Sequence, residues 1–89
     1  MVSGNLEITI KIKEMPEVET VQNGWQQFHV NCNGTVFTIT VRPKLWRKFE
    51  EAQAAYPEWL AAIKGKLGQR TSEGFVLDEV GIQVFEKKP

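Results

Sequence analysis

Two residue types that carry much of protein chemistry are nearly missing from the chain. It has one histidine, His29, and one cysteine, Cys32. A lone cysteine can form no internal disulfide, which fits a reducing compartment. His29 and Cys32 stand three positions apart, so on a regular strand they point to opposite faces and cannot work as a nucleophile and its base. They are also too few to ligate zinc. A phosphate-cradling loop is missing as well: Gly65-Lys66-Leu67-Gly68 lacks the lysine and Ser/Thr that follow a P-loop glycine. The acidic pairs Glu50-Glu51 and Asp78-Glu79 are neighbours in sequence and point apart, whereas acid–base work needs two carboxyls converging on one pocket. The chain is therefore not expected to be an enzyme, and no catalytic, cofactor-binding or metal site is assigned.

Apolar runs are short. None approaches the ~20 residues of a membrane span, and Met1-Val2-Ser3-Gly4-Asn5 lacks the charged and apolar regions of a secretion signal. A cytoplasmic protein with no membrane partner is expected. Net charge is lacking too: 11 basic residues balance 11 acidic ones, so the overall basicity of many nucleic-acid binders is absent. The charge is nonetheless uneven. Residues 42–70 carry seven basic and three acidic groups, while the segments on either side are net acidic. With 89 residues, 42% of them hydrophobic and 25% charged, the chain reads as one soluble globular domain, residues 1–89.

What is present is strong patterning. Leu6 to Lys13 alternates apolar and polar residues without error, as a half-buried strand does. Pro16 ends that strand, and residues 14–24 read as an acidic connection closed by Asn23-Gly24. Residues 25–32 and 35–42 flank Asn33-Gly34, the preferred dipeptide of a type I′ hairpin turn. A two-residue loop fixes the register: Cys32 faces Thr35, Val30 faces Phe37, Phe28 faces Ile39 and Gln26 faces Val41. These pairs make a mostly apolar face. The other face sets Asn31 against Val36, His29 against Thr38, Gln27 against Thr40 and Trp25 against Arg42.

Leu45, Phe49, Ala52, Tyr56, Leu60, Ile63 and Leu67 then recur at intervals of three and four, one stripe along a helix or a pair of helices. Pro57 divides the stripe, because a residue before proline is driven from helical geometry. The reading is a helix over 44–55 and a second over 58–65, with Gly65 and Gly68 as candidate C-terminal caps. Phe75-Val76-Leu77 and Ile82-Gln83-Val84-Phe85 read as two short strands around 78–81, and residues 87–89 as a fraying tail. The expected fold is α+β: an antiparallel sheet with two short helices packed on one face, in the order β-β-β-α-α-β-β. The expected core is Leu6, Ile8, Ile10, Ile12, Phe28, Val30, Phe37, Ile39, Leu45, Phe49, Leu60 and Ile63.

One surface stands out. Trp25, Gln27, His29, Thr38 and Thr40 share the polar sheet face, Arg42 ends the strand, and Lys44, Arg47 and Lys48 open the helix beside it. Such a face can dock a protein chain, or stack and hydrogen-bond single-stranded bases. The leading expectation is a small non-catalytic module that binds a protein partner or itself. The alternative is weak single-stranded nucleic-acid binding.

The runs Arg42-Pro43-Lys44-Leu45-Trp46, Gly74-Phe75-Val76-Leu77-Asp78-Glu79 and Ile82-Gln83-Val84-Phe85-Glu86 resemble those of a group of short uncharacterised cyanobacterial proteins. Some of these carry the label fertility inhibition FinO-like. The resemblance covers most of the chain and implies a bacterial cytosolic origin; the label implies RNA binding. This chain departs from that pattern, since the FinO RNA-binding domain is largely helical and strongly basic. No site residue is carried over.

Overall fold

Asn33 and Gly34 take φ values of 55° and 97°, the left-handed pair that a type I′ turn requires. The Asn31 side-chain oxygen accepts the Gly34 amide at 2.8 Å and holds the turn. The structure is a computed structural model and describes residues 1–87. Strands β3 (Gln26–Cys32) and β4 (Thr35–Val41) leave this turn in the register expected from the loop length, from Cys32↔Thr35 to Gln26↔Val41.

Asn23-Gly24 carries the same signal, with φ values of 63° and 75°. It sits in a single 3-10 turn closed by the Val21 amide on the Trp25 carbonyl at 2.8 Å. This turn folds β2 (Val18–Thr20) back onto β3, with Val18 opposite Phe28. The segment read as one acidic connection thus contains a strand.

The largest correction concerns the second helix. Helix α1 (Pro43–Ala55) forms as expected, with Pro43 in its first turn and Tyr56, before Pro57, as its C-cap. Residues 59–70, however, form a long strand, β5 (Trp59–Arg70). Trp59, Ala61, Ile63, Gly65 and Leu67 also alternate with period two, so both readings fit the same apolar residues. An eight-residue helix containing glycine is marginal, whereas β5 hydrogen-bonds to a neighbour on each side. One neighbour is β1 (Glu7–Ile12), with Ile10 opposite Ile63; the other is β6 (Gly74–Glu86), with Ile63 opposite Ile82. Gly65 and Gly68 are not helix caps. A Cβ on Gly65 would lie 2.8 Å from the Asp78 carbonyl oxygen, and one on Gly68 2.6 Å from that of Val76.

The stretch 78–81 is not a turn between two short strands. It is an irregularity within β6, where the pairing slips by one between Lys64↔Gly81 and Lys66↔Asp78. Glu79 takes φ of 52° there, as the first residue of some bulges does. A second slip, between Leu67↔Leu77 and Arg70↔Phe75, puts the extra residue on β5 and restores the register.

Among the described residues the expected antiparallel sheet with two helices is therefore replaced by a mixed six-stranded sheet with one α-helix, still α+β. Its strand order is β1-β5-β6-β4-β3-β2, and β4 pairs with β6 in parallel. The last strand lies inside the sheet, not in a separate flap. The sheet is also curled. Laid flat, its two edge strands would lie roughly 24 Å apart at ~4.8 Å per strand step. The chain from Ile12 to Val18 reaches at most about 20–22 Å, even fully extended. Met15, midway along that connection, packs against the core.

The core forms where the curled sheet meets α1. Phe49 is fully buried and packs edge-on against Phe28 and Trp59, with ring centroids 6.0 Å and 5.9 Å away. Phe28, Ile39, Val41 and Ile63 are buried beside it. Two expected core residues are not there. Leu6 precedes β1 and is 61% exposed, and Leu60 pairs with Phe85 on the opposite sheet face. At the C-terminus the Lys87 amide bonds to the Glu58 carbonyl at 3.0 Å. The rest of the tail expected to fray, Lys88 and Pro89, lies outside the described residues. No described helix is long and apolar enough to cross a membrane.

Candidate functional site

The ladder between β4 and β6 is short. It holds Val36↔Gly74, Phe37↔Phe75 and Thr38↔Val76 and then stops. Beyond it β4 turns into α1, and α1 packs chiefly against the flank of β6 that β4 leaves uncovered. A cleft opens at the split, floored by apolar residues such as Val41, Leu45, Val76 and Val80.

Five of the nine surface residues singled out in the sequence line this cleft: Trp25, Thr40, Arg42, Lys44 and Lys48. The Arg42 guanidinium lies over the Trp25 ring, 5.6 Å from its centroid, a cation–π arrangement. Lys48 reaches from α1 to β6 and donates to the Ile82 carbonyl at 3.1 Å. The remaining four lie apart from the cleft. Gln27 is half-buried and donates to the Thr40 hydroxyl at 3.0 Å. Thr38 faces His29 across the ladder. His29 is exposed and lines a different cleft, with Met15, Val30 and Cys32, between the end of β1 and the β3–β4 turn. Arg47 is exposed on α1.

The sequence reading missed the acidic side of the cleft. Asp78 and Glu79 line it together with the basic groups, brought there by the β6 bulge. The Glu79 carboxylate also pairs with Lys66 at 2.7 Å. That contact, more than the cross-strand Glu7, holds the Lys66 ammonium above its ordinary value of 10.5. The signal that marks the bulge is a phase slip: apolar residues fall on odd positions at Phe75 and Leu77 and on even ones at Ile82 and Val84.

The sheet face away from α1 carries no covering element among the described residues. At one end Phe85, 51% exposed, pairs with Leu60; Val36, opposite Gly74 at the start of β6, lies toward the other. Among the described residues no group of three His, Cys, Asp or Glu converges as metal ligands do. What this surface offers is hydrogen-bonding side chains, apolar patches and free strand edges. No protein-family model, no curated protein and no solved structure matches the chain.

Proposed function

We propose that the protein is a small non-catalytic interaction module that binds a protein partner or a second copy of itself. The observation that carries this reading is the open sheet. Among the described residues it ends in two edge strands, β1 and β2, each paired on one side only, and its bare face exposes Phe85 beside the half-buried Leu60. Exposed apolar side chains and free edges are what partner chains cover. The single thiol, Cys32, half-buried against the core, supports a reducing, cytoplasmic setting. Light scattering on a sizing column, joined to affinity capture from native extract treated with nuclease, tests the reading. A mass above the monomer, or a retained protein that survives nuclease, is expected. A monomer at every concentration that retains nothing contradicts it.

A second reading, weak binding of single-stranded nucleic acid, is favoured by Arg42 over Trp25 with Lys44 and Lys48 in the same cleft. Asp78 and Glu79 weigh against it, since they repel phosphates from that cleft. Binding under this reading is weak and strongly salt-dependent. Anisotropy of a labelled oligonucleotide at low salt tests it. Signal lost in the Trp25→Ala, Arg42→Ala double variant supports it, and a flat titration of the unaltered protein contradicts it.

A further inference from the structure

Among the described residues β1 has a neighbour, β5, on one side only. The Leu67 amide donates to the Leu6 carbonyl at 3.0 Å, so the Leu6 carbonyl turns toward β5. Strand alternation turns the peptide groups of Ile8, Ile10 and Ile12 the same way, and those of Glu7, Thr9 and Lys11 outward. Among the described residues the outward groups have no ladder partner. Charged side chains, proline and bulges are the usual guards of such an edge; β1 has no proline or bulge, and its two charges, Glu7 and Lys11, are of opposite sign.

The edge is self-complementary. Turned about a two-fold axis at Thr9, it sets Glu7 opposite Lys11 of a second copy, twice, and Thr9 opposite Thr9. Every hydrogen-bonding pair in this register joins residues whose peptide groups already point outward. On the core side Ile8 meets Ile10, and the exposed Leu6 meets Ile12. Other centres do less. About Ile8, Glu7 meets Thr9 and no opposite charges pair. About Ile10, Glu7 finds Lys13, but Leu6 is set against Glu14.

We propose that a second copy of this chain pairs antiparallel with β1 about Thr9, joining the two six-stranded sheets edge to edge. This rests on the module reading and names its partner and contact. The opposed Glu7–Lys11 pairs set the register, and the half-buried flanks of Ile8 and Ile12 gain cover from the second copy.

Sedimentation equilibrium of the full chain at low salt tests it, with Glu7→Lys and Lys11→Glu measured singly and mixed. The unaltered protein is expected to dimerise. Each reversal alone places like charges opposite each other twice and weakens association by on the order of tenfold. An equimolar mixture recovers it, because every introduced charge then meets its opposite on the other variant. Both variants must keep the circular dichroism of the unaltered protein, so that loss of fold is told from loss of pairing. An unaltered protein that stays monomeric overturns the proposal, as does a mixture of folded variants that does not recover. Reversals that leave the dimer intact also overturn it; they move the contact to another surface, and the module reading survives.

Discussion

The Lys48 ammonium, on α1, donates to the Ile82 carbonyl on β6 at 3.1 Å and fills a place that a ladder partner would otherwise take. β4 has already left the sheet at that level, so the helix supplies through one side chain what a strand supplies through its backbone. Lys48→Met keeps the aliphatic stem and removes the donor. It is expected to cost about 1 kcal/mol, read as a lowered urea midpoint with an unchanged slope.

Phe49 is fully buried among Phe28, Trp46 and Trp59. Phe49→Ala leaves a cavity between α1 and the sheet and is expected to cost roughly 3–5 kcal/mol. In a domain of this size that is a large share of the total stability. Thermal unfolding followed by circular dichroism checks it. A loss below about 1 kcal/mol would mean that α1 does not seat Phe49 in the core.

Gly74 begins the parallel ladder to β4, opposite Val36. A Cβ there would overlap the Val36 carbonyl oxygen, a backbone atom with little freedom to move. Gly74→Ala is expected to cost about 1–3 kcal/mol as an overpacked contact. The damage should be local, so hydrogen exchange should quicken first at Val36 to Thr38. Gly81→Ala is the control, since among the described residues a Cβ there meets nothing within 4 Å.

The pairing with Glu79 raises the Lys66 value above 10.5 in the folded chain. Its contribution is therefore complete below the unfolded value and disappears as pH rises through the higher folded one. Alkaline titration of stability should fall less steeply above pH 10.5 in Glu79→Gln, where the first cause of the shift is removed. Equal slopes for the two proteins would contradict the pairing.

Local signals in the sequence were readable wherever a few neighbouring residues decide the outcome. Asn33-Gly34 specified its turn and, through it, every pair between β3 and β4. Tyr56-Pro57 ended α1. The same logic applied to Asn23-Gly24 would have shown β2. The region 59–70 was ambiguous because Trp59, Ile63 and Leu67 suit both a helical stripe and an alternating strand. The choice fell to β1 and β6, which flank it from distant parts of the chain. Tertiary pairing of this kind overrides local propensity.

The candidate surface divided in the same way. The face shared by Gln27, His29, Thr38 and Thr40 followed from the hairpin register. The cleft that gathers Arg42, Lys44, Lys48, Asp78 and Glu79 did not, because it exists only where β4 and β6 part after three paired residues. Nothing near Asp78 in sequence reports that β4 lies beside it. The bulge alone left a trace, in the shift of apolar phase between Leu77 and Ile82.

Residue-resolved hydrogen exchange as a function of protein concentration tests the central claim, that the open sheet edge is a contact surface. The amides of Ile8, Ile10 and Ile12 point into the ladder with β5 and should be slow at every concentration. Those of Glu7, Thr9 and Lys11 point outward and should exchange fast in dilute solution, then become protected together as concentration rises. Fast exchange of these three amides at all concentrations would contradict the account.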